Sequence, residues 1–116
     1  VIAGSKTLEQ RLESDKIFKG FTGTAGGFYG PQGRVVRLGI QDPELNSKMD
    51  SFNFNGTRMT NLEMETGAIY GLGKLLGHNC LSLNAIIANR ATGTFSEDAY
   101  KAVDELFEYT LNKLAE

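Results

Sequence analysis

The chain has 116 residues, 41% of them apolar, and 12 basic against 14 acidic side chains for a formal charge of −2. That is enough for one domain with a modest core, and so balanced a charge argues against a nucleic-acid or membrane-surface role. The single cysteine, Cys80, and single histidine, His78, exclude an internal disulfide and a Cys/His metal cluster, so no metal and a reducing, cytoplasmic setting are expected.

The chain opens Val1-Ile2-Ala3-Gly4-Ser5 without an initiator methionine, so a piece of something longer is expected. Thr7 to Asp15 is polar with isolated leucines and reads as a helix end or loop. Ile17 to Thr24 mixes Ile17, Phe18 and Phe21 with Gly20 and Gly23, the pattern of a strand lying close to other backbone. Gly23 to Gly33 is too rich in glycine for regular structure and reads as a loop. Val35 to Ile40 is a candidate short strand. Asp42-Pro43-Glu44 carries the marks of a helix start, with aspartate as cap and proline first. Leu45, Met49 and Phe52 continue it at helical spacing, Asn55-Gly56 turns the chain, and Thr57 to Glu63 is a strand.

The next predicted helix, Gly67 to Leu76, sets Ala68, Ile69, Leu72, Leu75 and Leu76 on one face and stops at Gly77. Gly71 and Gly73 lie inside that helix rather than after a strand, so they are expected to serve close packing and not dinucleotide binding. Cys80 to Ala88 is the most apolar run and reads as a buried strand, and Asn89 to Phe95 as a polar loop. Ser96 is the expected cap of a last helix whose core stripe is Val103, Leu106, Phe107, Thr110, Leu111 and Leu114. Strands alternating with helices indicate an α/β fold.

Two stretches carry chemistry. In Thr60-Asn61-Leu62-Glu63-Met64-Glu65-Thr66, an extended or turning chain puts Glu63 and Glu65 on one side, where ionised carboxylates suit the hydroxyl donors of a vicinal diol. The competing reading is a pair of solvated acids at a helix start, where the macrodipole favours negative charge. In Phe28-Tyr29-Gly30-Pro31-Gln32-Gly33-Arg34, a glycine-proline frame holds an amide and a guanidinium beside aromatic rings. Gln32 offers the donor and acceptor that match the amide edge of a pyrimidine dione. Arg34 can stabilise an oxygen gaining negative charge, and Phe28 can stack on a flat ring. No Gly-Lys-Ser/Thr follows, so this is not a nucleotide P-loop.

Together, FYGPQGR, NLEMET and NAIIANRATGTF resemble, in this order, the uridine phosphorylase branch of the nucleoside phosphorylase family. The likeness runs from about Phe18 to the end. It implies the C-terminal half of a three-layer α/β fold, a central mixed sheet flanked by helices, with residues 1–116 forming part of one domain. It implies reversible phosphorolysis of uridine to uracil and ribose 1-phosphate, with inorganic phosphate as co-substrate, no cofactor, and a homo-oligomer. Carried over, Phe28, Gln32 and Arg34 would hold the base, Ile87 and Ala88 would border it, and Arg90 would support the uracil loop. Glu63, Met64 and Glu65 would line the ribose, Glu65 being the stronger candidate for the diol; Arg34 and Glu65 are the expected catalytic groups. Purine-cleaving relatives usually carry aspartate at the Asn89 position, so asparagine favours a pyrimidine. The family's phosphate-binding segments lie in its N-terminal half, so this chain alone is expected to be inactive. A purine-specific relative and a non-catalytic nucleoside-binding chain are the alternatives.

Overall fold

In a computed structural model describing residues 1–116, the chain runs α1 (Lys6–Leu12), β1 (Phe21–Thr24), a 3₁₀ turn (Gly30–Gln32), α2 (Leu45–Ser51), β2 (Asn53–Phe54), β3 (Thr57–Glu63), α3 (Thr66–Leu76), β4 (Ala88–Asn89), β5 (Thr94–Phe95) and α4 (Ala99–Ala115). It is an α/β protein with four helices and small sheets, and no helix is long and apolar enough to cross a membrane.

The organising element is β3, which pairs on one side with β1 in parallel and on the other with β2 in antiparallel. The β2–β3 turn is the Asn55-Gly56 pair anticipated from sequence, both residues at positive φ (51° and 82°) as a tight hairpin requires. Opposite, Phe21 is matched with Met59 but Thr22 with Asn61, so Thr60 is left over as a bulge. A Cβ at Gly20 would overlap the Thr60 side chain, so the glycine is needed for this close approach. Phe21 also meets Phe52 and Phe54 edge-on, with ring centroids 6.0 and 5.7 Å apart. These contacts tie β1 to both ends of β2 and its helix.

Elsewhere the chain departs from its sequence pattern, and the reason is shared: apolar periodicity is present where no neighbour covers it. The expected strand Val35–Ile40 is a series of bends, with Val35, Val36 and Leu38 exposed. The expected buried strand Cys80–Ala88 yields only the Ala88–Asn89 pairing with β5, because its other residues have no strand alongside to complete a ladder. The segment is instead fixed at points: Ser5 N–H donates to Cys80 O at 2.8 Å, and Ser82 N–H to the Tyr70 hydroxyl at 2.8 Å. Asn89–Phe95, read as loop, is the β4–β5 hairpin. Ile17–Thr24 narrows to β1, leaving Phe18 exposed.

Helix starts shift by one or two residues. Asp42 lies before α2, its carboxylate accepting from Glu44 N–H at 3.0 Å and from Lys48 at 2.8 Å, which together hold its pKa below the usual value. Asp98, not Ser96, caps α4 by accepting from Lys101 N–H at 2.9 Å; Ser96 N–H is used by Ile87 O at 2.7 Å. The stop of α3 at Gly77, in a left-handed conformation (φ 77°), is as expected, and a Cβ at Gly73 would run into the Cys80 sulfur. Helix α1 packs along α4: Arg11 donates to Leu114 O at 2.5 Å, and the Tyr109 hydroxyl to Leu12 O at 2.5 Å.

The expected core stripes are largely open. Ile69, Leu72, Leu75 and Leu76 of α3, and Phe107, Leu111 and Leu114 of α4, are all exposed, and the apolar core proper comprises Leu12 and Ala25. A mixed sheet is present, three strands wide, with α2 against β3 and α3 against β1. The accessible surface is 8951 Å², against about 6,200 Å² for a folded monomer of this mass. This much uncovered apolar surface predicts that the isolated chain binds an environment-sensitive dye such as ANS strongly and elutes on gel filtration above its 12.7 kDa mass. A sharp monomer peak with no dye binding would contradict the exposed stripes.

Candidate functional site

The base-binding candidates come together. Pro31 is the second residue of the 3₁₀ turn and Gly33 ends it in the left-handed region (φ 73°), where a Cβ would strike Asn46. Asn46 Nδ2 donates to Gly33 O at 3.1 Å, clamping the turn to α2. The turn buries Gln32, 5% exposed, and its side-chain oxygen accepts from both Arg34 (2.7 Å) and Arg90 (2.8 Å). Arg90 also donates to the Gln32 main-chain oxygen. Guanidinium groups are donors only, so the amide oxygen must face them and the amide NH₂ faces away. That NH₂ donates to no protein atom and is not sealed from solvent.

Arg34 is held twice more. It donates to Phe28 O at 2.5 Å, and its guanidinium carbon sits 3.8 Å from the Phe28 ring centroid. One face of Phe28 is therefore taken by Arg34, while Tyr29 meets it edge-on at 5.2 Å. Burial lowers the Arg90 pKa, and the positive charge of Arg34 lowers it further; two like charges are kept together by the oxygen between them.

Arg90 reaches Gln32 from the turn of the β4–β5 hairpin, so the hairpin lies against the Gln32 turn. Ile87 and Ala88 border a hollow of about 170 Å³ completed by Ile86, Asn89, Thr94, Phe95 and Ser96. The Asn89 oxygen accepts from Ala91 and Thr92 N–H at 3.0 and 3.3 Å, so this side chain builds the turn that projects Arg90. A larger open groove of about 820 Å³ runs along the other side of the turn, between Tyr29, Pro31 and Arg34 and the apolar segment Val36–Ile40.

The acidic stretch divides its two carboxylates between two tasks. Strand β3 ends at Glu63, and Glu65 occupies the position before α3. One Glu63 oxygen accepts from Glu65 and Thr66 N–H at 2.5 and 2.6 Å, the other from the Thr24 hydroxyl at 2.6 Å. Burial would raise the Glu63 pKa, but the hydrogen bonds from Thr24, Thr66 and Glu65 outweigh it and hold the carboxyl below its ordinary value. Glu63 thus serves the N-terminus of α3, half-buried and hydrogen-bonded. Glu65 is exposed and accepts only from Met64 N–H at 3.2 Å; Met64 is exposed beside it. No hydrogen bond or ion pair joins this group to Gln32, Arg34 and Arg90. Both hang from the end of β1, where Ala25 N–H donates to Glu63 O at 2.9 Å.

Thr24 and Asn46 are the positioning groups that sequence reasoning missed. Each is a common polar residue whose partner lies far along the chain, and neither spacing nor composition marks it.

No protein-family model matches the chain, and neither the curated proteins nor the solved structures gave a match.

Two outcomes follow from this geometry. Replacing Arg90 by alanine removes the link between hairpin and Gln32 turn and should cost about 1 kcal/mol in urea unfolding, the modest end for charged hydrogen bonds because Arg90 is exposed. A Glu63 pKa depressed on folding contributes stability above the ordinary value of 4.5 that is lost as pH falls through the lower folded value. Amide exchange at the start of α3 should therefore accelerate, beyond the intrinsic pH trend, below about pH 4.5, and Glu63→Gln should abolish that step.

Proposed function

We propose that this chain carries the base- and ribose-binding part of a pyrimidine nucleoside phosphorylase of the uridine-cleaving kind, within the three-layer α/β fold of that family. The reading rests on the likeness of its three motifs and is supported above all by one observation, the convergence of Arg34 and Arg90 on the Gln32 amide oxygen. That arrangement turns the Gln32 NH₂ outward, toward a carbonyl oxygen of the base, with two positive charges behind it. Cleavage of the glycosidic bond leaves the uracil anionic and the sugar cationic. Guanidinium groups near the base and the free carboxylate of Glu65 near the ribose match the charges that develop, which is where binding accelerates a reaction. Ile87, Ala88 and Phe28 supply apolar surface for a flat ring, and Met64 for the sugar. Inorganic phosphate is the proposed co-substrate, the cytoplasm the proposed location, and assembly with further copies the proposed state.

A non-catalytic nucleoside-binding chain is the second reading. It is favoured by the placement of Arg11 in α1 and of Arg58 in β3, neither being set in a glycine-rich loop of the kind that holds phosphate in the family.

Titration calorimetry with uridine, inosine and uracil tests the proposal. The 116-residue chain is expected to bind uridine and uracil in preference to inosine, and Arg34→Ala to weaken both by roughly ten- to hundredfold. Tighter binding of inosine, or no binding of any of the three, would overturn the pyrimidine reading. Release of uracil from uridine in the presence of phosphate would show the chain to be catalytic by itself, and would rule out the binding-only reading.

A further inference from the structure

Thr24, at the last position of β1, uses its hydroxyl in both directions. It donates to Glu63 at 2.6 Å and accepts from Gly67 N–H at 2.8 Å. Glu63 in turn accepts from Glu65 and Thr66 N–H. Three consecutive amides at the start of α3 are therefore satisfied by side chains from two neighbouring strands, and Glu65 in the cap position contributes nothing to them. The packing is close: a Cβ at Gly67 would come within 3.1 Å of the Thr24 hydroxyl oxygen. Only a hydroxyl gives and takes a hydrogen bond at one atom here; a methyl does neither, and an amide or carboxylate would not fit the gap.

Both Glu63 oxygens are engaged at the strand end, whereas Glu65 is left exposed with one weak contact. A single carboxylate suffices for a vicinal diol, since its two oxygens accept one hydrogen from each hydroxyl. We propose that Thr24 is a positioning residue for the sugar subsite: by fixing Glu63 on the first turn of α3 it presents Glu65 alone to the ribose diol. This deepens, and rests on, the nucleoside reading given above.

The test compares Thr24→Val, Thr24→Ser and Glu65→Gln with the parent chain by three measurements: amide exchange of Gly67, the carboxyl titration of Glu63 by carbon NMR, and calorimetric affinities for uridine and for uracil. Loss of a helix-capping group should speed Gly67 exchange and weaken uridine binding by roughly five- to tenfold each in Thr24→Val. Glu63 should titrate closer to its ordinary value, and uracil, which has no sugar, should bind unchanged. Thr24→Ser should restore all three. Glu65→Gln should weaken uridine but leave Gly67 and Glu63 as they are. Unchanged Gly67 exchange in Thr24→Val overturns the proposal, as does altered exchange with an unaltered ratio of uridine to uracil affinity, which would make Thr24 a helix cap and nothing more. A parent chain that binds neither uridine nor uracil removes the nucleoside reading itself, and the sugar subsite with it.

Discussion

The parallel pairing of Phe21–Thr24 with β3 is the constraint on which the rest depends. It is short, and the Thr60 bulge interrupts it, yet it brings two segments nearly forty residues apart to a common end. At that end Thr24 meets Glu63, Ala25 takes the Glu63 carbonyl, and the chain leaves in two directions. One path becomes α3, whose first amides are held by the same two side chains. The other becomes the glycine-rich loop that delivers Gln32. A candidate sugar group and a candidate base group are thus both referenced to one strand end, the usual place for ligands in sheets with parallel strands. Side-chain contacts secure the junction where the ladder is thin: Thr22 donates to Asn61 at 2.8 Å, and Thr60 to Phe21 O at 3.3 Å.

Polar chemistry, not apolar burial, carries most of the local order. With Leu12 and Ala25 the buried apolar side chains, the hydrophobic term that normally dominates folding is small here. What is well defined is defined by hydrogen bonds with few alternatives, such as Asn46 on Gly33, Asp98 on α4 and Tyr109 on α1. Each is worth about 1 kcal/mol, so none would hold its element alone. The open faces of α3 and α4 and the bare Val35–Leu38 segment are therefore surfaces whose composition suits contact with other protein.

What the sequence made legible follows the range of the interaction responsible. The Asn55-Gly56 turn, the strand Thr57–Glu63 and the Gly77 stop are set by residues within a few positions of one another, and all are present. The segments Val35–Ile40 and Cys80–Ala88 have the composition of strands, but a strand exists only beside another, and composition does not name the neighbour. The same limit applies within the site. Gln32 and Arg34 lie two residues apart in one motif, so their grouping is local. The contact of Arg90 with Gln32 spans 58 positions, and sequence gave it only through a family likeness. The division of labour between Glu63 and Glu65 was legible as an alternative but not as a choice, since it turns on the Thr24 hydroxyl, 39 positions away.

The Gln32 cluster also bears on how such a site would work. The Arg34 and Arg90 guanidinium groups share the Gln32 side-chain oxygen and otherwise donate to the main-chain oxygens of Phe28 and Gln32, so all their acceptors are neutral; burial first and the charge of Arg34 second lower the Arg90 pKa. Two positive charges beside neutral acceptors suit an anionic ligand better than a neutral one. Under the proposed reaction, uridine arrives neutral and uracil departs with negative charge, so relief of the repulsion would grow along the reaction coordinate instead of being spent on binding the substrate. The donors are fixed by Phe28, by Gln32 and by the Asn89 turn. Little reorganisation would then be required as the charge develops, the condition under which fixed dipoles and charges stabilise a transition state most effectively.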